Sequence, residues 1–324
     1  MNYPNTALLF LLLLFGTTTG TQAASQLTCQ AGGNEMSVSA DEGGGMDPAS
    51  MYPASMLEDV VTALYRFDFR IAESLSRELL ERHPGHYLAH FSSVYYNWWL
   101  MITWPRPAEI ETRYRESILH ALPLARKAVE GSASDQDVFN YINLHAMLAR
   151  LDLQQGAWIR TMKTLRLCVV QVEKSMGREE AFGGFYLTSG LYNYLISEAM
   201  RRYPFLKLYA LFYPEGDRER GISQLEKAFA SDEALWKTEA GYFLMRIHLE
   251  KGQDARVAEK YASWLTTAYP SNLIFQYYHL QVINALGDER GVKEKVAEIR
   301  REAYGNPGIS PEQRTYFLDL VRGY

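Results

Sequence analysis

The feature that most constrains this fold is a repeated unit of two amphipathic segments separated by a short break. Residues 239–272 show it most clearly. Large apolar residues recur every three or four positions in the first half, which ends at Gly252, and the second half carries Ala258 and Ala262 before an exit proline, Pro270. Apolar residues at this spacing form one face of a helix, and two helices cross closely only where small residues lie at the contact. The unit therefore predicts a helical hairpin.

Similar units cover most of the chain after residue 52. One follows directly at 273–306, and an earlier one runs over 53–86. Gly, Pro and Asn end most of the periodic segments, and none of them alternates convincingly as a strand would. Units that contact only their neighbours stack into a superhelix. The sequence predicts an all-α solenoid of about six helical hairpins over 53–324, with a final helix near 311–322 that caps its C-terminal end.

Two units are expanded, near 87–134 and 183–236. In the second, Gly190 and Gly221 stand at the helix-crossing positions, 31 residues apart where the plain unit has 12, which leaves an insert of about 19 residues. The insert is apolar over 203–213. We expect it to be buried against the inner face of the superhelix. The alternative is a peripheral membrane contact, although the basic polar face that favours this mode is missing.

The order of large residues, small residues and exit proline resembles the tetratricopeptide repeat. One segment of about 40 residues is also similar to the inclusion-body-clearance, mitochondrial-outer-membrane type of tetratricopeptide protein and to its bacterial envelope relatives. The residues that carry this similarity are Gly190, Asn193, Pro204, Gly216, Asp217, Arg218 and Gly221. The resemblance implies an all-α scaffold or adaptor, with no catalytic residues and no cofactor.

The same resemblance implies which residues line the concave groove of the superhelix. Carried over from the family's first-helix positions, the set contains Phe91, Tyr95, Trp98, Arg150, Tyr194, Phe243 and Tyr277, with Trp99, Asn143, Leu187, Leu191, Ile247 and Ile274 at equivalent positions. Aromatic side chains dominate binding hot spots. The set predicts an aromatic groove for a protein or peptide partner, and the alternative for any single ring is a place in the hydrophobic core.

The first 23 residues have the pattern of a secretory signal peptide. Nine apolar residues from Ala7 to Phe15 precede small polar residues and the small-x-small pattern ending at Ala23. Nine residues are too few to span a bilayer, which needs about 20. Residues 24–52 lack apolar periodicity and are rich in Gly, Ser, Met and Asp, which predicts a flexible leader. We therefore expect an exported protein that is periplasmic, extracellular or associated with the envelope.

The two cysteines stand in different surroundings. Cys29 lies in the leader, and Cys168 lies in a helical run. A disulfide is compatible with export, but sequence spacing does not establish one. Cys168 fits a small buried slot of its repeat unit, because free cysteine packs as a small hydrophobe. Whether the two cysteines are free, paired or modified stays open.

The acidic and basic cluster 215–220 is the strongest candidate for chemistry in the sequence. Its order of residues also suits a helix start, since Asp217 can cap free backbone amides, Glu219 suits the helix dipole and Gly216 supplies the turn. We favour this structural role. The alternative is a hydrolase with two opposed carboxylates, for which Glu198 and Asp217 are conceivable.

Three histidines lie close together, at His83, His86 and His90. His86 and His90 are four residues apart and could share a helix face, as metal ligands do. No nearby cysteine or ordered carboxylate set completes a site. We expect no bound metal.

Charge and motifs narrow the function classes. The formal net charge is -5, and no basic stripe suggests nucleic-acid binding. No nucleophile elbow, phosphate loop or zinc-protease motif is present. The sequence thus predicts a non-catalytic exported scaffold that binds a protein or peptide partner in its groove. The alternative is a helical envelope protein that binds or cleaves carbohydrate, since such proteins also favour aromatic platforms.

Overall fold

The computed structural model describes residues 53–104, 108–131, 134–202, 214–250 and 254–324. These residues contain helices and no strand, which confirms the all-α class. The helices are α1 Pro53–Tyr65, α2 Phe69–Arg82, α3 Tyr87–Thr103, α4 Ala108–Gly131, α5 Asp135–Gln154, α6 Trp158–Ser175, α7 Gly184–Arg202, α8 Arg218–Phe229, α9 Ala234–Glu250, α10 Ala255–Ala268, α11 Leu273–Ala285, α12 Glu289–Gly305 and α13 Pro311–Leu320. The expected signal peptide, the leader with Cys29, and the apolar insert with Pro204 all lie outside the described residues.

The helices pack in consecutive pairs, from α1 with α2 to α11 with α12, and each pair also packs on the next. This is the stacked-hairpin architecture that the repeat predicts. None of the described helices is long and apolar enough to cross a membrane.

Side-chain caps start many of these helices where the sequence places an Asp, Asn or Ser. Each of these side chains accepts a hydrogen bond from a backbone amide of the first turn, which would otherwise lack an acceptor. The capping residues are Asp68, Ser134, Asp217, Asp254, Asn272, Asp288 and Ser310. These seven helices therefore begin at residues whose side chains suit a helix start.

Glycines allow α7 and α8 to cross with their backbones in contact. A Cβ atom on Gly221 would lie 2.5 Å from the backbone N of Tyr194 and 2.8 Å from the carbonyl O of Gly190. A Cβ atom on Gly216 would lie 2.7 Å from the carbonyl O of Asn193. No side chain larger than hydrogen fits these positions without moving a helix, so the glycines of the resemblance are structural.

The two ends of the described chain meet and close the superhelix. Phe67, in the loop after α1, is fully buried, and its ring centroid lies 5.6 Å from that of Phe317 on α13. The amide of Phe69 donates to the carbonyl of Gly308 over 3.1 Å. Gln313 Nε2 of α13 donates to Thr103 Oγ1 of α3 over 2.8 Å. The last helix therefore does more than cap one end, because it joins the last hairpin to the first two.

Cys168 occupies the small buried slot that its place in the repeat predicts. It is buried on α6, and its Sγ lies 3.7 Å from the carbonyl O of Ile142. Burial raises the pKa of the Cys168 thiol to about 12, so the thiol stays protonated at neutral pH. Cys168 is not in a disulfide within the described part of the chain.

Candidate functional site

Closure of the superhelix leaves a cavity of about 1060 Å³ in its interior. Its walls come from α3, α5, α7, α9 and α11, which are the first helices of five hairpins, and from α13. Twelve aromatic side chains line it: Tyr95, Trp98, Trp99, Trp104, Phe139, Tyr242, Phe243, Phe275, Tyr277, Tyr278, Tyr316 and Phe317. The first helices thus face inward, as the tetratricopeptide resemblance implies.

Five of the seven main groove residues expected from the sequence line this cavity. They are Tyr95, Trp98, Arg150, Phe243 and Tyr277. Among the equivalent positions, the cavity also includes Trp99, Asn143, Leu187, Leu191 and Ile274. These residues come from five helices and share one continuous surface.

Phe91 and Tyr194 do not line the cavity. Phe91 is almost fully buried, with its ring centroid 5.0 Å from that of Tyr95. Tyr194 is fully buried at the α7–α8 crossing, where the Arg218 guanidinium lies 5.7 Å from its ring centroid. Ile247 is likewise buried and outside the lining. These three side chains belong to the core that supports the site.

Glu239 is the cavity residue that the sequence reading missed. It stands at the first position of the clearest repeat unit, directly after Thr238, and both residues line the cavity. The available signal was a carboxylate in the second turn of a first helix, one turn before the inward-facing Phe243. Tyr242, Phe275 and Tyr278 were also missed as lining residues.

The Glu239 carboxyl group is held by a tyrosine from the first hairpin. Tyr65 Oη donates to Glu239 Oε1 over 2.7 Å, and Tyr65 is almost fully buried. Burial raises the pKa of Glu239, although the hydrogen bond from Tyr65 and the positive charge of Arg150 act against this rise. The cavity therefore contains a half-buried carboxyl group that a tyrosine from the first hairpin holds in place.

Arg150 places a positive charge in the same cavity. Its guanidinium carbon lies 3.6 Å from the centroid of the Trp98 ring. A cation over the face of tryptophan is stabilised by the ring's quadrupole. The Trp98 ring is in turn 5.9 Å from that of Tyr114, which is almost fully buried on α4. The α4 helix thus supports the guanidinium through Trp98.

The surface of α13 forms the rim of the cavity. Glu312 and Asp319 line it and are exposed to solvent. Arg322 also lines it and forms an ion pair with Asp319. A ligand that enters beside α13 passes these charges before it reaches the aromatic interior.

The acidic and basic cluster at 215–220 lies apart from the cavity lining. The Asp217 carboxylate accepts from the amide of Arg220 over 3.0 Å and caps α8. Tyr192 Oη donates to the carbonyl of Pro214 over 2.7 Å, which fixes the chain just before the cluster. Asp217 therefore forms the helix cap that its place in the sequence predicts.

Glu198 is buried and paired with arginines rather than with a second carboxylate. Its oxygens lie 2.9 Å from Arg201 and 3.2 Å from Arg218. Nearby, Asn193 Nδ2 donates to Gln224 Oε1 over 2.7 Å and links the two crossing helices. Arg218 and Asn193 thus stabilise the α7–α8 hairpin.

The histidines at 83–90 have local roles in the chain. His86 Nδ1 accepts from the amide of Leu88 over 3.2 Å and caps α3. His90 Nε2 lies 2.9 Å from the carbonyl O of Pro84. Across the described ranges, no three His, Cys, Asp or Glu side chains are grouped to hold a metal ion.

No protein-family model matches the chain, and no curated protein and no solved structure matches it either.

Proposed function

We propose that the protein is a non-catalytic scaffold that binds a protein or peptide segment in the aromatic cavity. The observation that carries this proposal is the cavity itself, where twelve aromatic rings from four hairpins and the last helix surround about 1060 Å³. Ligand pockets of about 300–1,000 Å³ are typical of binding proteins. At about 1060 Å³ this cavity is slightly larger than that range, which suits a short peptide segment better than a small metabolite.

The arrangement of the rings supports a binding role. Large aromatic anchors in well-packed, desolvated pockets supply most of the energy at interfaces. Here the aromatic anchors stand on helices that are held in place because the two ends of the superhelix meet. A rigid site of this kind loses little conformational entropy on binding. Trp98 and Tyr277 are two half-buried aromatic anchors in the cavity, and both are replaced in the binding experiment described below.

The N-terminal residues and the segment around Gly190 also bear on where the protein is located and on which family it resembles. We propose that it is an exported, tetratricopeptide-like protein of the bacterial envelope, as the N-terminal residues 1–23 and the segment around Gly190 suggest. Cell fractionation with N-terminal sequencing of the mature chain tests export. A full-length chain that stays in the cytoplasm with an intact N-terminus would contradict it.

The binding proposal is tested with a tetrapeptide library rich in aromatic and apolar residues. Half of the peptides carry a free N-terminus and half are N-acetylated, and bound peptides are identified by native mass spectrometry. Trp98→Ala and Tyr277→Ala should each weaken binding by about 10-fold or more, since a hot-spot truncation costs roughly 2 kcal/mol or more. Tyr304→Ala is the matched control, because Tyr304 is 66% exposed and lies outside the cavity lining. Retention of every peptide by the two cavity variants would refute the assignment.

A carbohydrate ligand is the second candidate. It is favoured by one observation, namely that the carboxyl groups of Glu239, Glu312 and Asp319 line the same aromatic cavity. Binding of neutral oligosaccharides on a glycan array, together with no binding of either peptide set, would select it. Hydrolysis of a bound glycan that Glu239→Ala abolishes would establish catalysis.

A further inference from the structure

The outer side of α6 carries an exposed apolar face. Within the described ranges, ten large apolar side chains are exposed, and five of them stand on this one helix: Trp158, Ile159, Met162, Leu167 and Val170. Ile159 is 75% exposed and Leu167 is 53% exposed. Single exposed apolar side chains are ordinary on a protein surface, whereas a contiguous group with polar residues around it marks an interaction site.

The apolar side chains share this face with basic ones. Positions 3, 4, 7, 8, 11 and 15 residues after Ile159 lie on the same side of an α-helix as Ile159. They hold, in order, Met162, Lys163, Arg166, Leu167, Val170 and Lys174, all of them exposed. At 1.5 Å per residue the face is about 22 Å long. The opposite side of α6, which includes Cys168, is buried against α5.

The charge of the α6 face is opposite to that of the whole protein. The chain has a formal net charge of -5, whereas Lys163, Arg166 and Lys174 give this face three positive charges. Glu173 is the one acidic residue of α6, and it is half-buried. The partner that complements this face therefore combines negative charge with an apolar interior.

We propose that the α6 face is a docking surface for an anionic lipid membrane. The apolar side chains would enter the boundary between headgroups and acyl chains, and the basic side chains would reach the lipid phosphates, as in amphipathic helices that lie on membranes. Lysine and arginine suit this position because their stems pack in apolar surroundings while their charges stay in the polar layer. No α6 residue lines the aromatic cavity, so this inference goes beyond the proposed function.

The shape and charge of the face favour a bilayer over a protein partner. Ile159 projects from the surface, since three quarters of it is exposed, whereas partner helices bind in grooves. A second copy bound through the same face would place Lys163 and Arg166 against their own counterparts, and like charges brought together in this way oppose association. A bilayer accepts a projecting apolar ridge and offers phosphates along its whole length.

Co-sedimentation of the full chain with lipid vesicles tests the proposal. Vesicles of phosphatidylglycerol and phosphatidylcholine in equal parts provide the anionic surface, and vesicles of phosphatidylcholine alone are the neutral reference. The chain should bind the anionic vesicles about 100-fold more tightly, which corresponds to three basic side chains at about 1 kcal/mol each. High salt should remove this preference, because it screens charges at a surface.

A triple variant tests the basic residues of the face. Its changes are Lys163→Gln, Arg166→Gln and Lys174→Gln, and together they should weaken binding to the anionic vesicles by about 100-fold. A control variant removes the same number of exposed positive charges from α12 and should keep binding within about 3-fold of wild type, since those charges lie on another helix. Its changes are Lys293→Gln, Arg300→Gln and Arg301→Gln.

A single variant tests the apolar residues. Ile159→Ser should weaken binding by about 10-fold or more, because an isoleucine side chain that enters apolar surroundings is stabilised by about 1.5–3 kcal/mol. Ile71→Ser is the matched control, since Ile71 is 51% exposed on α2, and it should bind like wild type. Both side chains are largely in solvent, so both variants should melt at the wild-type temperature. The apolar residues 7–15 are the same in every variant, so differences between variants report on the replaced side chains.

The outcomes separate this proposal from its alternatives. A preference for anionic vesicles that the two α6 variants lose and the two controls keep supports it. Equal binding of both vesicle types by the wild-type chain would overturn it, as would binding that the α6 variants retain, which would place the membrane contact elsewhere, for example at 203–213. A dimer in sedimentation velocity that Ile159→Ser dissociates would assign the face to a second copy instead. Peptide binding in the aromatic cavity should be unchanged in the α6 variants, so a failure of the proposed function is measured separately.

Discussion

Gly221→Ala should destabilise the protein, because a single methyl group has no room at the α7–α8 crossing. The added Cβ would lie 2.5 Å from the backbone N of Tyr194 and 2.8 Å from the carbonyl O of Gly190. Ordinary van der Waals contact needs about 3.4 Å or more, so the helices must separate by roughly 1 Å. Both neighbours are backbone atoms of a helix, which cannot rotate out of the way.

The magnitude follows from two opposing effects. Overpacking of this kind costs about 1–3 kcal/mol, and the upper part of the range applies because only rigid backbone can move. Alanine favours a helix over glycine by about 1 kcal/mol. The net loss should be about 1–2 kcal/mol, which corresponds to a fall in melting temperature of roughly 2–4 °C for a chain of this size.

Differential scanning calorimetry of Gly221→Ala beside Gly305→Ala measures this effect. Gly305 ends α12, and a Cβ atom there would have nothing within 4 Å. Gly305→Ala should be neutral or stabilise by up to about 1 kcal/mol. The packing argument is refuted if Gly221→Ala melts at or above the wild-type temperature, as the control is expected to do.

Three further changes test other parts of the structure. Asp217→Ala should lower the free energy of unfolding by about 1 kcal/mol because the α8 cap is lost, while Asp217→Asn should keep the cap. Peptide binding per folded molecule should stay unchanged in both variants. A loss of binding at unchanged stability would contradict the structural role. Burial lowers the pKa of His145 to about 4, so the unfolded state binds more protons than the folded state below pH 6.5. The free energy of unfolding should therefore fall by about 2 kcal/mol between pH 7 and pH 5. In urea unfolding, His145→Leu should lack this loss, and an equal loss in the variant would show that His145 is not its cause. Phe317→Ala should lower the free energy of unfolding by about 3–5 kcal/mol and expose the buried Phe67. A variant that melts like wild type would show that the contact between the two ends of the superhelix adds little stability.

The sequence was sufficient to predict the helical pairs and their local contacts. Periodicity, caps such as Asp217 and the crossing glycines depend on residues that are near one another in the chain or in one hairpin. Gly221 could be assigned to a close crossing because the repeat places it opposite Gly190. The buried role of Cys168 followed from the same alignment.

The contact between the two ends of the superhelix and the exact cavity lining could not be predicted in this way. The hydrogen bond from Tyr65 to Glu239 joins residues 174 positions apart, and such a contact depends on the twist accumulated over all the hairpins between them. Phe91 and Tyr194 lie in the two expanded units, where extra residues change how the first helix presents its faces. Glu239 was missed because the repeat pattern specifies packing positions and says little about a half-buried carboxyl group that faces a cavity.

Whether the aromatic cavity is the binding site is tested most directly by filling it from inside. Ala146 lines the cavity on α5, so Ala146→Trp places an indole ring in the ligand's space and leaves the outer surface unchanged. Ala285→Trp, at an exposed position that ends α11, is the matched control. Binding of the tetrapeptide library should fall by about 10-fold or more in Ala146→Trp and persist in Ala285→Trp, with both proteins folded. Undiminished binding in a folded Ala146→Trp protein would contradict the central claim.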